Sequence, residues 1–363
     1  MIANDCRNFI EEIHKGKHMT RTSTLKEIAQ KLNVSVSTVS RAVNNKEYVK
    51  EETRERVLKA LEEYNYVPNE VARSLKKQST RTIGVVVPDI CETLFGTIIK
   101  GIDQVVSPHG YSIIVADTNE SRKNEQKYLE LLYQKRIDAL VLATVDLNGR
   151  KVLQYLNSKI PVVFIDNIPK LKVPIESVTI DNAKASEVAV EYLVRHGHHR
   201  IAAIVGSIQE TTGYERVAGY KRALISHGIT VDDNLIRYGN YKENEGYLCM
   251  RELLDNRYQT SFTSVYIMSE MMTFGAIKAI RQYGLRIPED LSVVGFDVHD
   301  KAGLVHPSIT SIRQPEAMIG TRTGELLLER LAHMESGQTC ERENERFLVE
   351  PYLEIGQSVW DVI

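Results

Sequence analysis

Apolar and polar positions change rhythm along the chain, and each rhythm predicts a different kind of element. In TLKEIAQKLNVSVSTVSRAV, Leu25, Ile28, Ala29 and Leu32 fall at i, i+3, i+4 and i+7, one face of a helix. Thr24, with Glu27 three residues later, makes a capping box at its start. Asn33-Val34-Ser35 breaks the period, and Ser35 is placed to cap a second short helix whose Val39, Ala42 and Val43 can face inward. Val36, Ser37, Ser40 and Arg41 are then left pointing out. A third run, EETRERVLKALEEYN, carries Val57, Leu58, Leu61 and Tyr64 at helical spacing to cover the pair. Two short helices this close predict a helix-turn-helix, whose second helix fits the major groove of DNA. Small and hydroxylated side chains on its outer face add no burial but allow close approach to base edges and phosphates.

From Thr82 onward, strand-sized apolar runs alternate with amphipathic helical stretches, the mark of βαβ units and parallel sheets. TIGVVVP, SIIVA, DALVLA, PVVFI and SVTI make one set of candidate strands. RIAAIVG, FTSVYIM and LSVVGFD begin a second set, expected to close with RFLVEPYLEI. Two doubly wound lobes of similar size follow. Ligands of such sheets bind beyond the carboxyl ends of the strands, which places a site in the cleft between lobes. Asp89 and Phe95 follow the first strand, Asp117 the second and Asp166 the strand VVFI. In the second lobe Thr212 and Arg216 follow AAIVG, Tyr241 follows 234–239, Ser269 and Glu270 follow SVYIM, and Asp297 follows SVVGF. Carboxylates and an Arg can hydrogen-bond hydroxyls in pairs, while Phe and Tyr faces cover the apolar side of a sugar. Asp297 could instead cap a turn, and Arg216 could pair with Glu215 or Glu210.

The N-terminal pattern resembles the LacI/GalR family of bacterial transcription regulators. The residues that carry the likeness are Thr24-Leu25, Ile28-Ala29, Val34-Ser35, Thr38-Val39-Ser40-Arg41, Val43-Asn44, Thr53-Arg54, Tyr66-x-Pro68-Asn69 and Ala72-Arg73-x-Leu75. The resemblance continues to about Glu354. It implies an all-α helix-turn-helix head on an α/β body of two doubly wound lobes like a periplasmic binding protein. The expected boundaries are 1–22 for an N-terminal extension, 23–67 for the head, 68–81 for a hinge helix and linker, and 82–363 for the effector-binding and dimerisation body. It further implies a homodimeric repressor of carbohydrate-utilisation genes, acting in the cytoplasm at the nucleoid on a pseudo-palindromic operator. DNA contacts would come from Thr24, Ser35, Val36, Ser37, Thr38, Ser40, Arg41, Asn44 and Asn69, with Val36 against a thymine methyl and Arg41 on guanine or phosphate. Leu75 matches the position wedged into the minor groove, a distortion repaid by the bend it allows, and Lys76 and Lys77 would hold phosphates. Arg216, Asp297 and Tyr241 match effector contacts, and Phe95, Asp166, Thr212 and Ser269 join them. The family often carries an amide where this chain has Ser269, so the effector is expected to differ from the common hexoses.

Charge supports the division. Between Arg21 and Arg81 stand thirteen Lys and Arg against eight Glu and no Asp, a local +5. With a whole-chain charge of −2, the remainder carries −7. A basic head on an acidic body suits a nucleic-acid contact confined to one end. No apolar run approaches a membrane span and no apolar secretory segment opens the chain. Cys6, Cys91, Cys249 and Cys340 are too scattered for a metal or disulfide framework. HGHH at 196–199 looks metal-binding at first sight, but it ends a helix, where His favours the dipole and Gly197 supplies the cap. Residues 1–21 precede the family pattern, and Met19 is the expected natural start. No nucleophile elbow, phosphate loop or metalloprotease motif is visible, so neither a catalytic role nor a cofactor is expected. No leucine heptads follow SVWDVI, which favours a dimer over a tetramer. Two alternatives stand beside the regulator: a solute-binding protein, and a sensor that answers to a partner protein rather than a sugar.

Overall fold

The structure, a computed structural model, describes residues 25–43, 49–64, 79–300, 303–336 and 345–362. The chain divides after residue 77 into two units. Of the expected DNA contacts, Thr24, Asn44, Asn69, Leu75 and Lys76 lie outside the described residues, as do residues 1–22 and most of the hinge.

The N-terminal unit contains α1 (Leu25–Leu32), α2 (Val36–Val43) and α3 (Glu51–Glu63). Ile28, Ala29, Val39, Ala42, Val57 and Ala60 form its core. Between α1 and α2, Asn33 takes φ 54°, a left-handed turn that Asn tolerates. Ser35 Oγ accepts the Thr38 N–H at 3.0 Å, which caps α2. One expectation fails: Leu58 is 45% exposed, and Ala60 is buried in its place. The inward stripe of α3 runs through Val57, Ala60, Leu61 and Tyr64 at i, i+3, i+4 and i+7, and Leu58 stands one step round the helix from it.

The C-terminal unit holds two six-stranded sheets. In chain order its first part is β1 (Thr82–Val87), α4 (Thr93–Val106), β2 (Ser112–Asp117), α5 (Arg122–Gln134), β3 (Ala139–Leu142), α6 (Val152–Asn157), β4 (Val162–Ile165), β5 (Glu176–Ile180) and α7 (Asn182–Arg195). Then come β6 (Ile201–Val205), α8 (Thr211–Ser226), β7 (Ile236–Tyr238), α9 (Glu243–Asp255), β8 (Ser264–Ile267), α10 (Glu270–Gln282), β9 (Ser292–Phe296), β10 (Thr310–Arg313), α11 (Glu316–Glu335), β11 (Glu345–Val349) and β12 (Tyr352–Glu354). Strand order is β11-β5-β4-β3-β1-β2 in one lobe and β12-β10-β9-β8-β6-β7 in the other. Among the described residues all pairings are parallel except β10 with β12. The central strands are buried throughout, as parallel strands covered on both faces must be.

The segment RFLVEPYLEI therefore does not close the second lobe as a unit. Arg346–Val349 pairs with β5 in the first lobe, and only Tyr352–Glu354 joins the second. Glu350-Pro351 is one of three places where the chain crosses between lobes; the others follow β5 and β10. Helices cross as well. Helix α7 packs on β8, β10 and β12 of the second lobe, and α11 packs on α4 of the first. Gly101 and Gly320 let those two backbones touch, since a Cβ on Gly101 would stand 2.9 Å from Ala317 O.

Candidate functional site

The carboxyl ends of β1, β4, β6, β8 and β9 face one cleft between the lobes, with about 540 Å³ of space counted to its open mouth. Phe95, Asp166, Thr212, Arg216, Tyr241, Ser269 and Asp297 all line it. Asp89 and Asp117, also noted at strand ends, are not among the lining residues: Asp89 takes Lys242 Nζ at 3.2 Å, and Asp117 accepts the Asn119 N–H.

Arg216, on α8, is 5% exposed and lies over Phe296, its Cζ 3.6 Å from the ring centroid. It donates from Nε to Asn182 Oδ1 at 2.8 Å and from Nη1 to Met268 O at 2.9 Å. It pairs with neither Glu215 nor Glu210: Glu215 meets Arg346, and Glu210 accepts from Asn167 Nδ2 at 2.8 Å. Asp297 does support local structure, holding the Gln314 N–H and side-chain amide at 2.9 and 2.6 Å. Tyr241 and Thr212 share a hydroxyl contact of 3.0 Å. Asp166, Tyr241 and Asp297 all take positive φ, 56°, 60° and 54°. For a bulky side chain such as Tyr that is a strained conformation, of the kind that clusters at functional sites.

The cleft also contains residues that periodicity did not single out: Glu92, Glu120, Asn167, Glu210, Phe296 and Gln314. Glu92 and Glu210 are the N-caps of α4 and α8, and Glu270 opens α10, so three helix N-termini bring carboxylates to one space. A strand followed within ten residues by an acid was the available signal. Burial, together with Asp166, Glu120, Asp89 and Glu270, pushes the Glu92 carboxyl up to about 8. Burial and the nearby Glu120 and Asp166 push Glu210 to about 8 despite its Asn167 bond. Glu120 rises to about 7 and Asp166 to about 6, again chiefly by burial, with Lys242 and Arg216 respectively holding them lower. Burial raises Asp297 too, against Gln314 and Arg216.

Two other groups behave differently. His299 bridges Glu270 Oε1 at 3.1 Å and Glu316 Oε1 at 2.7 Å, and so ties the cleft wall to the start of α11. His198 of the HGHH run is buried, with Nδ1 at 2.8 Å from Thr263 Oγ1 and Nε2 at 3.1 Å from Trp360 O, while Gly197 turns the end of α7 with φ 81°. On the N-terminal unit, α2 presents Val36, Ser37 and Arg41 exposed and Ser40 half-buried, with Val36 45% exposed. An apolar side chain left open on an otherwise polar helix face fits contact with a thymine methyl.

Residues 80–349 match the family of periplasmic binding proteins and sugar-binding domains of the LacI family, and residues 24–69 match the bacterial regulatory proteins of the lacI family. The chain belongs to the LacI family of bacterial regulatory proteins. Within that LacI family it is 36% identical to the transcriptional repressor CytR of Escherichia coli strain K12, over 89% of this chain and 94% of that protein. The lac repressor dimer bound to operator and the anti-inducer ONPF superposes with a TM-score of 0.80 at 25% identity, over 94% of this chain and all of that one. A complex of the regulator CelR with cellobiose gives 0.69 at 29% identity, over 93% and 99%. Among the described residues no helix is long and apolar enough to cross a membrane.

Proposed function

We propose that this LacI-family chain is a transcriptional repressor that binds a pseudo-palindromic operator as a homodimer, and that a polar small molecule held between its lobes sets its affinity for DNA. The observation that carries the reading is the convergence of Phe95, Asp166, Thr212, Arg216, Tyr241, Ser269 and Asp297 on one cleft. Arg216 and the carboxylates would bind hydroxyls in pairs, and Phe95 and Tyr241 would cover an apolar ring face. Ligand contacts to both lobes would favour one lobe spacing, and through it one relation of the two heads on DNA. The outer face of α2 would read the major groove through Val36, Ser37 and Arg41. Such a protein acts at the nucleoid in the cytoplasm.

The test is a fluorescence-anisotropy titration of a pseudo-palindrome from the gene's own upstream DNA, repeated with sugars and sugar derivatives. Tight, salt-sensitive binding that one compound abolishes is the expected result for an inducible repressor. Binding that needs a compound would make that compound a corepressor. Binding that no small molecule changes would overturn the effector part of the proposal and point to a partner protein.

A further inference from the structure

Among the described residues, six carboxyl groups line the cleft, Glu92, Glu120, Asp166, Glu210, Glu270 and Asp297, against one cationic side chain, Arg216. Three of them are engaged by neutral amides or by His299: Glu210 by Asn167, Asp297 by Gln314 and Glu270 by His299. Glu92, Glu120 and Asp166 have no side-chain hydrogen-bond partner among the described residues. Arg216 is buried, donates Nε and Nη1 to Asn182 and Met268, and offsets the charge of Asp166, Glu210 and Asp297 only in part, as Lys242, paired with Asp89, does for Glu120. A neutral polyol would leave the mutual repulsion of these acids in place. A phosphate or carboxylate would add to it, since like charges a few ångströms apart repel strongly where the effective dielectric is low. An ammonium within reach of Glu92, Glu120 and Asp166 would relieve it.

We infer that the effector is a cation, a hydroxylated amine of the amino-sugar class, and that its ammonium sits among Glu92, Glu120 and Asp166 while its ring packs against Phe95 and Tyr241. This rests on the effector reading proposed above and narrows it. Burial and mutual repulsion raise these acids, so part of their charge is held as bound protons, which an arriving ammonium displaces.

The experiment is calorimetry on the full chain with matched ligands: glucosamine and galactosamine, their N-acetyl forms, glucose and galactose, their 6-phosphates, and spermidine as an amine without a ring. Operator binding is followed in parallel. The expected result is that an amino sugar binds at least tenfold tighter than its acetylated and hydroxyl counterparts, with no binding of phosphates. The heat should change with the ionisation enthalpy of the buffer, which reports proton release. Glu120→Gln should cut amine affinity about tenfold, a larger loss than it causes for the matched neutral sugars, and Glu92→Gln gives the same readout from the first helix. A neutral or anionic sugar that binds better than its amine, or no binding by any amine, overturns the inference. If that neutral sugar releases operator DNA, the repressor reading survives. If an amine binds tightly yet leaves operator affinity unchanged, the charge inference stands and the effector reading falls.

Discussion

Lys242 Nζ lies 3.2 Å from Asp89 Oδ2, and this pair joins the second lobe to the first at the rim of the cleft. Asn167 and Ile168 of the first lobe add neighbouring bonds to Glu210, Thr212 and Thr211 of the second. The ion pair is part-exposed, and such pairs contribute about 0–1 kcal/mol. Lys242→Ala is therefore expected to leave the melting temperature nearly unchanged. It should speed effector release severalfold, because the lobes lose a latch, and the effect should shrink as salt rises. Stopped-flow dissociation at two ionic strengths checks this; an unchanged release rate at low salt would show that the pair does not hold the lobes.

Arg216 is expected to be far less forgiving. Its planar guanidinium stacks on Phe296 while donating to Asn182 and Met268, a combination lysine cannot reproduce. Arg216→Lys should weaken effector binding at least tenfold, about 1.4 kcal/mol, with effector-free operator binding largely retained. Paired ligand and operator titrations of the variant separate the two effects. Loss of both together would mean that Arg216 supports the fold rather than the ligand.

The cleft was partly legible in the sequence because its charged and aromatic residues stand just past recognisable strands. Arg216, Asp297 and Tyr241 could be placed that way. Glu92 and Glu210 also follow strands, but that signal is weak for them, since a Glu one residue before a helix looks like any solvated N-terminus until the opposite lobe closes over it. The lobe assignment of RFLV failed for a related reason. Its short apolar run is equally fit to pair with either sheet, and which edge is free is a property of the whole chain path. The positive φ of Tyr241 has no sequence mark either, although its neighbour does: Gly206 lies against the Tyr241 ring, where any Cβ would clash.

Gly206→Ala follows from that contact. The added methyl would push the Tyr241 ring from its place and break its contact with Thr212. Overpacking of this kind costs about 1–3 kcal/mol, and the displaced ring should also reduce effector affinity. Denaturant unfolding with ligand titration reads both. Wild-type affinity in a destabilised variant would remove Tyr241 from the binding surface.

Leu75→Ala tests the hinge expectation drawn from the family resemblance. A wedge that unstacks a base step contributes only when DNA is bound. The variant should lose at least tenfold in operator affinity, with the thermal stability and effector affinity of the free protein unchanged. Equal operator affinity in anisotropy titrations would take the wedge out of the account.

The stability of the C-terminal unit should fall as pH rises, from two separable sources. Burial alone would lower the His299 pKa, but its bonds to Glu270 and Glu316 outweigh that and raise it to about 9. A group raised in the folded state stabilises fully below its unfolded pKa, near 6.5, and that contribution disappears as pH climbs through 9. With His299 nearly buried, the contribution is on the order of 2–3 kcal/mol. Glu92 and Glu210, both raised to about 8, lose stability over a lower window, from the ordinary Glu range near 4.5 up to 8, because the folded state must give up protons it holds tightly. His299→Gln should therefore be destabilising at pH 6 and nearly neutral at pH 10, flattening the upper part of the curve. Glu92→Gln should do the opposite, leaving pH 5 unchanged and stabilising the effector-free protein at pH 8.5. Urea unfolding of each variant from pH 5 to 10 distinguishes them. A Glu92→Gln variant no more stable than wild type at pH 8.5 would mean that the cleft acids do not repel one another as their crowding requires.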